Sequence, residues 1–267
     1  MEQDSEFYIG WQASAPPSFK RAVRGFILIL ALLIPWLAVA FVYFQSGFSN
    51  GVFEFGKTTE LQGIYTDQPI PFLTIENGKN ADGKPIYQKI LLVGQGKSGF
   101  KPENKQQLTG KTVKISGFLI YSEGKTAFQV ENISAVSGAA APNVIQAFDR
   151  TNLQASVTLR GEITDPKCFL GVMNPGQGKP HLDCAVRCIS GGLPPLLKVS
   201  NAQGETEYYL LVGADGTPIN EQVLKYVGGG VQLCGRLEQQ ADWLLLYTDL
   251  TSLKRIDKDG LNPPMCN

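Results

Sequence analysis

The sequence predicts a mainly β protein in which one membrane-spanning helix is followed by a small barrel domain built twice. Three observations predict it. One charge-free run near the N-terminus is long enough to cross a bilayer. The remainder is dense in glycine and proline between short apolar runs, and three of its blocks occur twice in the same order.

The charge-free run is "FILILALLIPWLAVAFVYF", Phe26 to Phe44. At about 1.5 Å per residue, a helix of that length covers roughly the 30 Å hydrocarbon core, so a single span over 25–45 is expected. Lys20, Arg21 and Arg24 precede it and only Lys57 follows closely, which by the positive-inside rule puts residues 1–24 in the cytoplasm. Everything after Ser46 is then expected on the far side of the inner (plasma) membrane, periplasmic or extracellular, with the lipid bilayer itself as a partner. Ala38-Val39-Ala40 has the small-x-small form of a signal-peptidase site. Against cleavage stand Glu2, Asp4 and Glu6 in the leading segment and the apolar "FVYF" that continues past the cut. Either reading exports the C-terminal part.

Lys plus Arg and Asp plus Glu are 24 each, a balance without the basic excess of a nucleic-acid binder, so no nucleic acid is expected as a partner. Glycine and proline, 29 and 16, fall between apolar runs as tight turns fall between short strands. The chain has five cysteines and one histidine. In an exported protein cysteines pair by default, and an odd number leaves at least one over.

The repeat is read from three pairs of blocks. "LQGIYTDQP" from Leu61 matches "LRGEITDPK" from Leu159, "ILLVG" from Ile90 matches "YLLVG" from Tyr209, and "GKTVKISGFL" from Gly110 matches "GGGVQLCGRL" from Gly228. A conserved order of blocks indicates two copies of one domain, expected over 52–136 and 155–257, with a linker at 137–154 and a tail at 258–267. In the second copy, strands are expected near Val157 to Ile163, Leu196 to Ser200, Glu207 to Gly213, Val231 to Leu237 and Trp243 to Leu250. A helix "INEQVLKYV", stopped by Gly228, is expected between the third and fourth. The first copy runs in parallel, with a weaker helix near Pro102 to Leu108. Five strands with a helix between the third and fourth is the order of an OB-fold, so two tandem OB-fold-like barrels are predicted.

The copies differ mainly in one place. The offset is 98 residues between Leu61 and Leu159 and 119 between Ile90 and Tyr209, so the second copy carries about twenty extra residues. They lie within 167–195, "KCFLGVMNPGQGKPHLDCAVRCISGGLPP", in the connection between the first two strands, a loop OB-folds use for ligands. "DCAVRC" reads as one short helix with Asp183 as N-cap, Gly191 as C-cap, and Cys184 and Cys188 one turn apart on one face. Cys234 points to the outer face of its strand where the first copy has Ser116, which suggests that the insertion folds back over it.

Two readings of this segment follow. In one, two disulfides among Cys168, Cys184, Cys188 and Cys234 staple a loop too rich in proline and glycine to order itself. The protein is then a non-catalytic, membrane-anchored accessory or assembly subunit of a membrane complex, such as a respiratory electron-transfer complex, and needs no cofactor. In the other, Cys168, His181, Cys184 and Cys188 are soft ligands, with Cys234 or Met173 as outer candidates, and the protein is a carrier of Cu, Zn or heme. The sequence shows no serine, histidine and carboxylate set that could serve a hydrolase around its single histidine, and "GQGKSG" at Gly94 lacks the first glycine of a phosphate-binding loop.

One signal anchor followed by an exported OB barrel resembles the heme chaperones of bacterial cytochrome c maturation. Their His-x-x-x-Tyr is absent, since Ala185 stands four residues after His181, so the resemblance implies a setting in respiratory-complex maturation and carries over no site residue. Cys-x3-Cys with a histidine is similar to the copper chaperones of cytochrome oxidase assembly. Those have a thioredoxin-like fold and a histidine far downstream, whereas His181 lies three residues upstream of Cys184.

Overall fold

The computed structural model describes residues 15–46, 51–136, 150–201, 203 and 205–256. The acidic residues Glu2, Asp4 and Glu6, the linker around 137–143 and Cys266 lie outside them. The chain divides into two compact units, Met1–Phe48 and Ser49–Asn267. Among its described residues the first holds a single helix, α1 (Pro17–Ser46). It starts at Pro17 rather than 25, so Lys20, Arg21 and Arg24 belong to its first turns, and proline opens it where no amide donor is needed. Within Pro17–Phe44 an 18-residue window reaches a mean hydropathy of 2.7 with no residue buried, so the helix is long and apolar enough to cross a membrane.

The second unit holds both repeats. In the first, β2 (Thr59–Thr66), β3 (Phe72–Lys79), β4 (Pro85–Val93), β5 (Thr112–Ser122) and β6 (Lys125–Ala135) pair in the order β5-β2-β3-β4-β6, and β6 pairs back to β5. A two-residue strand, β1 (Val52–Phe53), adds to the outer edge of β5. In the second, β7 (Arg150–Thr164), β8 (Leu196–Ser200), β9 (Thr206–Gly213), β10 (Gly230–Gln240) and β11 (Trp243–Arg255) close in the equivalent order, β10-β11-β9-β8-β7. All neighbours are antiparallel except β4 with β6 and β9 with β11. The short helix between third and fourth strands is present in both, α2 (Lys105–Leu108) in the first. The second has one α-turn (Asn220–Val223) continued as a 3-10 turn (Leu224–Tyr226) rather than one helix through "INEQVLKYV". Gly228 ends it with φ +68°. Both repeats are OB-folds.

The unit has three cores. One fills the first barrel, with Tyr65, Leu73, Ile90, Leu92, Val113, Ile115 and Phe128. A second fills the other barrel from equivalent positions, among them Ile163, Tyr209, Leu211, Val231 and Leu233. The third lies between the barrels and draws on the outward faces of the same strands: Leu91 and Val93 of β4, Leu210 and Val212 of β9, together with Phe72, Ile120 and Trp243. Side chains alternate across a strand, so the unbroken apolar runs "ILLV" and "YLLV" serve an inner core with one set and the shared core with the other.

The barrels grip each other through equivalent features. Lys89 precedes the run in β4 as Tyr208 precedes it in β9. The tip of the β10–β11 hairpin reaches the first site, where Asp242 Oδ1 accepts from Lys89 N (3.1 Å) and Trp243 Nε1 donates to Lys89 O (2.8 Å). The tip of the β5–β6 hairpin reaches the second, where Glu123 accepts from the Tyr208 hydroxyl. Each barrel thus receives the tip of the other's last hairpin at an equivalent position.

Candidate metal centre

The insertion leaves β7 at Thr164 and is ordered from its first residue. Asp165 is fully buried. Its Oδ1 accepts from Cys168 N at 2.9 Å, holding the start of a π-type turn (Cys168–Val172), and its Oδ2 lies 2.7 Å from His181 Nε2. A 3-10 turn (Lys179–His181) then runs into α3 (Leu182–Ser190). The N-cap of α3 is His181, so Asp183, expected there, sits exposed in the first turn; Gly191 is the C-cap as expected. Asn220 Nδ2 ties the far end down by donating to Ile189 O (2.7 Å) and Leu193 O (2.6 Å).

Cys184 and Cys188 lie one turn apart on α3 and converge on Cys168 from the π-type turn. Their three Sγ atoms lie within 4.8 Å of one another, Cys168 and Cys184 at 3.6 Å. Cys168 and Cys188 are 5% and 1% exposed and belong to the core between the barrels, with Cys184 half-buried at its edge. The disulfides expected among Cys168, Cys184, Cys188 and Cys234 are not formed here: the first three are free thiols. Cys234 sits on β10 opposite Thr158 of β7 and Asp249 of β11. Cys168, Leu170 and Cys188 of the insertion are drawn into the shared core.

The set Cys168, His181, Cys184 and Cys188 is divided in space. His181, 1% exposed, forms a second group with Asp165 and Cys168, and its Nδ1 faces Met173 Sδ at 3.1 Å. With both ring nitrogens engaged and the ring buried, the arrangement presents no open imidazole to a heme.

Two lysines complete the site, and sequence reasoning missed both. Lys97, in the first barrel's loop after β4, donates from Nζ to Cys184 Sγ at 2.7 Å. That hydrogen bond, before any other cause, raises the lysine's pKa. Lys167 is 2% exposed and donates from Nζ to Gly94 O (2.8 Å) and Gly96 O (2.7 Å) of the same loop. Burial pulls its pKa down, against the charges of Cys188, Cys168 and Asp165 that raise it. Among the thiols, the hydrogen bond shared with Cys188 pushes Cys168 far up, with burial adding to it, and the same bond lowers Cys188 against the cost of burial. The two thiols thus differ, the proton being held more firmly on Cys168 than on Cys188.

The loop approaches α3 closely enough to need glycine. Gly99 N donates to Gly191 O at 3.0 Å. A Cβ at Gly99 would stand 2.0 Å from Gly192 O, and one at Gly191 would stand 2.0 Å from Lys97 O. A signal for Lys167 and Asp165 was in the repeat itself: "TDPK" matches "TDQP", so Asp165 stands where Asp67 stands and Lys167 where the other copy has Pro69.

Fold and site together define a class: a tandem OB-fold unit preceded by an apolar helix, carrying a three-thiol cluster at the seam between barrels. No family model and no curated protein matches the chain. Among solved structures, a deletion mutant of the single-stranded DNA binding protein from Thermus aquaticus is similar over 81% of this chain and 92% of that one, at 14% identity and a TM-score of 0.22. Overlap that loose carries no argument, and the class rests on the strand order.

Proposed function

We propose that this is a membrane-anchored, exported metal-binding protein that holds a soft cation on Cys168, Cys184 and Cys188 and serves as an accessory or assembly factor of a membrane complex. The observation that carries the reading is the convergence of three free thiols on one point, two of them buried, with a lysine at the third. Buried thiols that merely pack do not need an ammonium partner, whereas thiolates do. Thiolate sulfur selects Cu(I) and Zn over harder ions. Asp165 fits the role of a supporting residue, since it fixes the Cys168 backbone and orients His181, as carboxylates behind metal ligands do. The apolar helix supports action at the membrane.

The test is elemental analysis of the full chain, purified in detergent from cells in which it is exported. About one Cu or Zn per chain is expected. The variant Cys168→Ser/Cys184→Ser/Cys188→Ser should carry none, with its far-ultraviolet circular dichroism unchanged. Metal-free wild-type protein whose three thiols cannot take up Cu(I) or Zn(II) in vitro would sink the reading.

A further inference from the structure

Building on that site, we infer that β1 is a strap which closes the turn carrying Cys168, so that release of β1 is the motion that opens the buried end of the thiol cluster. The site is taken from the reading above, and the strap rests on backbone contacts alone.

Two elements depart from the plan that the barrels share, and they meet. The first barrel closes through β5 and β6 without β1, and among the described residues the second barrel has no strand in the equivalent place. β1 is therefore an addition to the OB-fold, as the insertion within 167–195 is an addition to the other copy. The two additions lie against each other, β1 on the insertion's first turn, Cys168–Val172. The approach is backbone to backbone. A Cβ at Gly51 would stand 2.3 Å from Leu170 O, and one at Gly171 would stand 2.7 Å from Val52 N, so glycine is required on both sides. Phe53 continues the contact by packing against the core that contains Cys168, Leu170 and Cys188.

The fit is close but the hold is small. β1 pairs with β5 at two positions, Val52 with Tyr121 and Phe53 with Ile120, and Glu54 N extends the pairing by donating to Leu119 O at 2.9 Å. Val52 is 41% exposed, and Phe55 just beyond the strand is 73% exposed. A short, half-exposed strand on a barrel's outer edge opens at lower free energy than the closed barrel behind it. Its release would uncover Leu170 and Gly171, and with them Cys168, which is buried while the strap is closed. Cys184 already lies at the edge of the cluster, so the strap governs the deeper thiol. β1 is also the first element after α1, which places it, along the chain, between the apolar helix and the site.

The experiment follows alkylation of each thiol by iodoacetamide in the reduced, metal-free full chain in detergent, with peptide mass spectrometry assigning the rates and hydrogen exchange read over the same peptides. Gly51→Ala, made on the strap, and Gly171→Ala, made on the turn, should each speed alkylation of Cys168 about tenfold or more by forcing the two backbones apart. Exchange should rise together in 51–54 and 168–173 and stay at the wild-type rate in β4, which also shows that the variants fold. Gly56→Ala is the control. It lies just beyond the strand, with φ +84° and nothing within 4 Å, so its strain should leave Cys168 at the wild-type rate. If Gly51→Ala loosens 51–54 while Cys168 keeps its rate, or if β4 opens by the same factor as β1, the strap is refuted and the metal-binding reading is untouched. If the strap variants behave as expected but wild type takes up neither Cu(I) nor Zn(II), the strap stands and the metal-binding reading fails.

Discussion

The two barrels share a strand order and an inner core, and differ in what they contribute between them. The second inserts Cys168, His181, Cys184 and Cys188 after its first strand; the first has no insertion, and offers in return the loop 94–101 with Lys97. At the matched positions, Asp67 accepts from the Tyr65 hydroxyl at 2.9 Å within its own barrel, whereas Asp165 is buried and organises Cys168 and His181. The difference teaches that the duplication is not a doubling of one function. One copy carries the thiols, and the other supplies the loop and core residues that lie against them.

The largest test of that division is Trp243→Ala. Trp243 is fully buried in the shared core and bonded to Lys89 O across the seam, so its removal should cost about 3–5 kcal/mol. Because the core is shared, guanidinium unfolding should show both barrels melting in one transition at lower denaturant. If hydrogen exchange in β4 is unchanged, the barrels are independent and the division is wrong. A smaller effect is expected at the loop-to-helix contact. Gly191→Ala places a methyl 2.0 Å from Lys97 O and should cost about 1–3 kcal/mol by overpacking, with weakened metal retention. Gly124→Ala, at a hairpin tip with nothing within 4 Å but φ +74°, should cost about 1 kcal/mol through backbone strain alone and leave metal binding untouched. Equal loss of metal in the two variants would break the assignment of the seam to the site.

Much of this was legible in the sequence, and what was not has a physical reason. Repeated blocks carry register, so the strand order and the outer-face position of Cys234, with Val113, Ile115, Val231 and Leu233 in the barrel cores, agree with alternation along the strands. Helical spacing brought Cys184 and Cys188 to one face correctly. The disulfides were expected from compartment alone, a rule that knows nothing of the Lys97 loop next to Cys184. Nor could periodicity show that "ILLV" and "YLLV" are buried on both faces by a partner barrel rather than by a helix or membrane. Lys97 and Lys167 were invisible because their roles depend on contacts between copies, about 70 to 90 residues apart in sequence, and lysines in loops are read as solvated unless the structure shows otherwise.

The smallest prediction concerns the hairpin tips. Glu123 meets a hydroxyl in the opposite barrel, whereas Asp242 meets a backbone amide and leaves Oδ2 buried without a hydrogen-bond partner. Burial raises the Asp242 pKa, against the Lys89 amide that lowers it. The folded chain therefore holds more protons than the unfolded one just above the ordinary carboxylate range, and stability falls as pH rises through that window. Asp242→Asn keeps the acceptor for Lys89 N and removes the buried charge. It should flatten that decline and add about 1 kcal/mol at neutral pH, while leaving stability below the ordinary carboxylate range nearly unchanged. Urea unfolding across the acidic to neutral range checks it. A variant that tracks wild type at every pH would mean that Asp242 is solvated, and that the two tips are more alike than their contacts indicate.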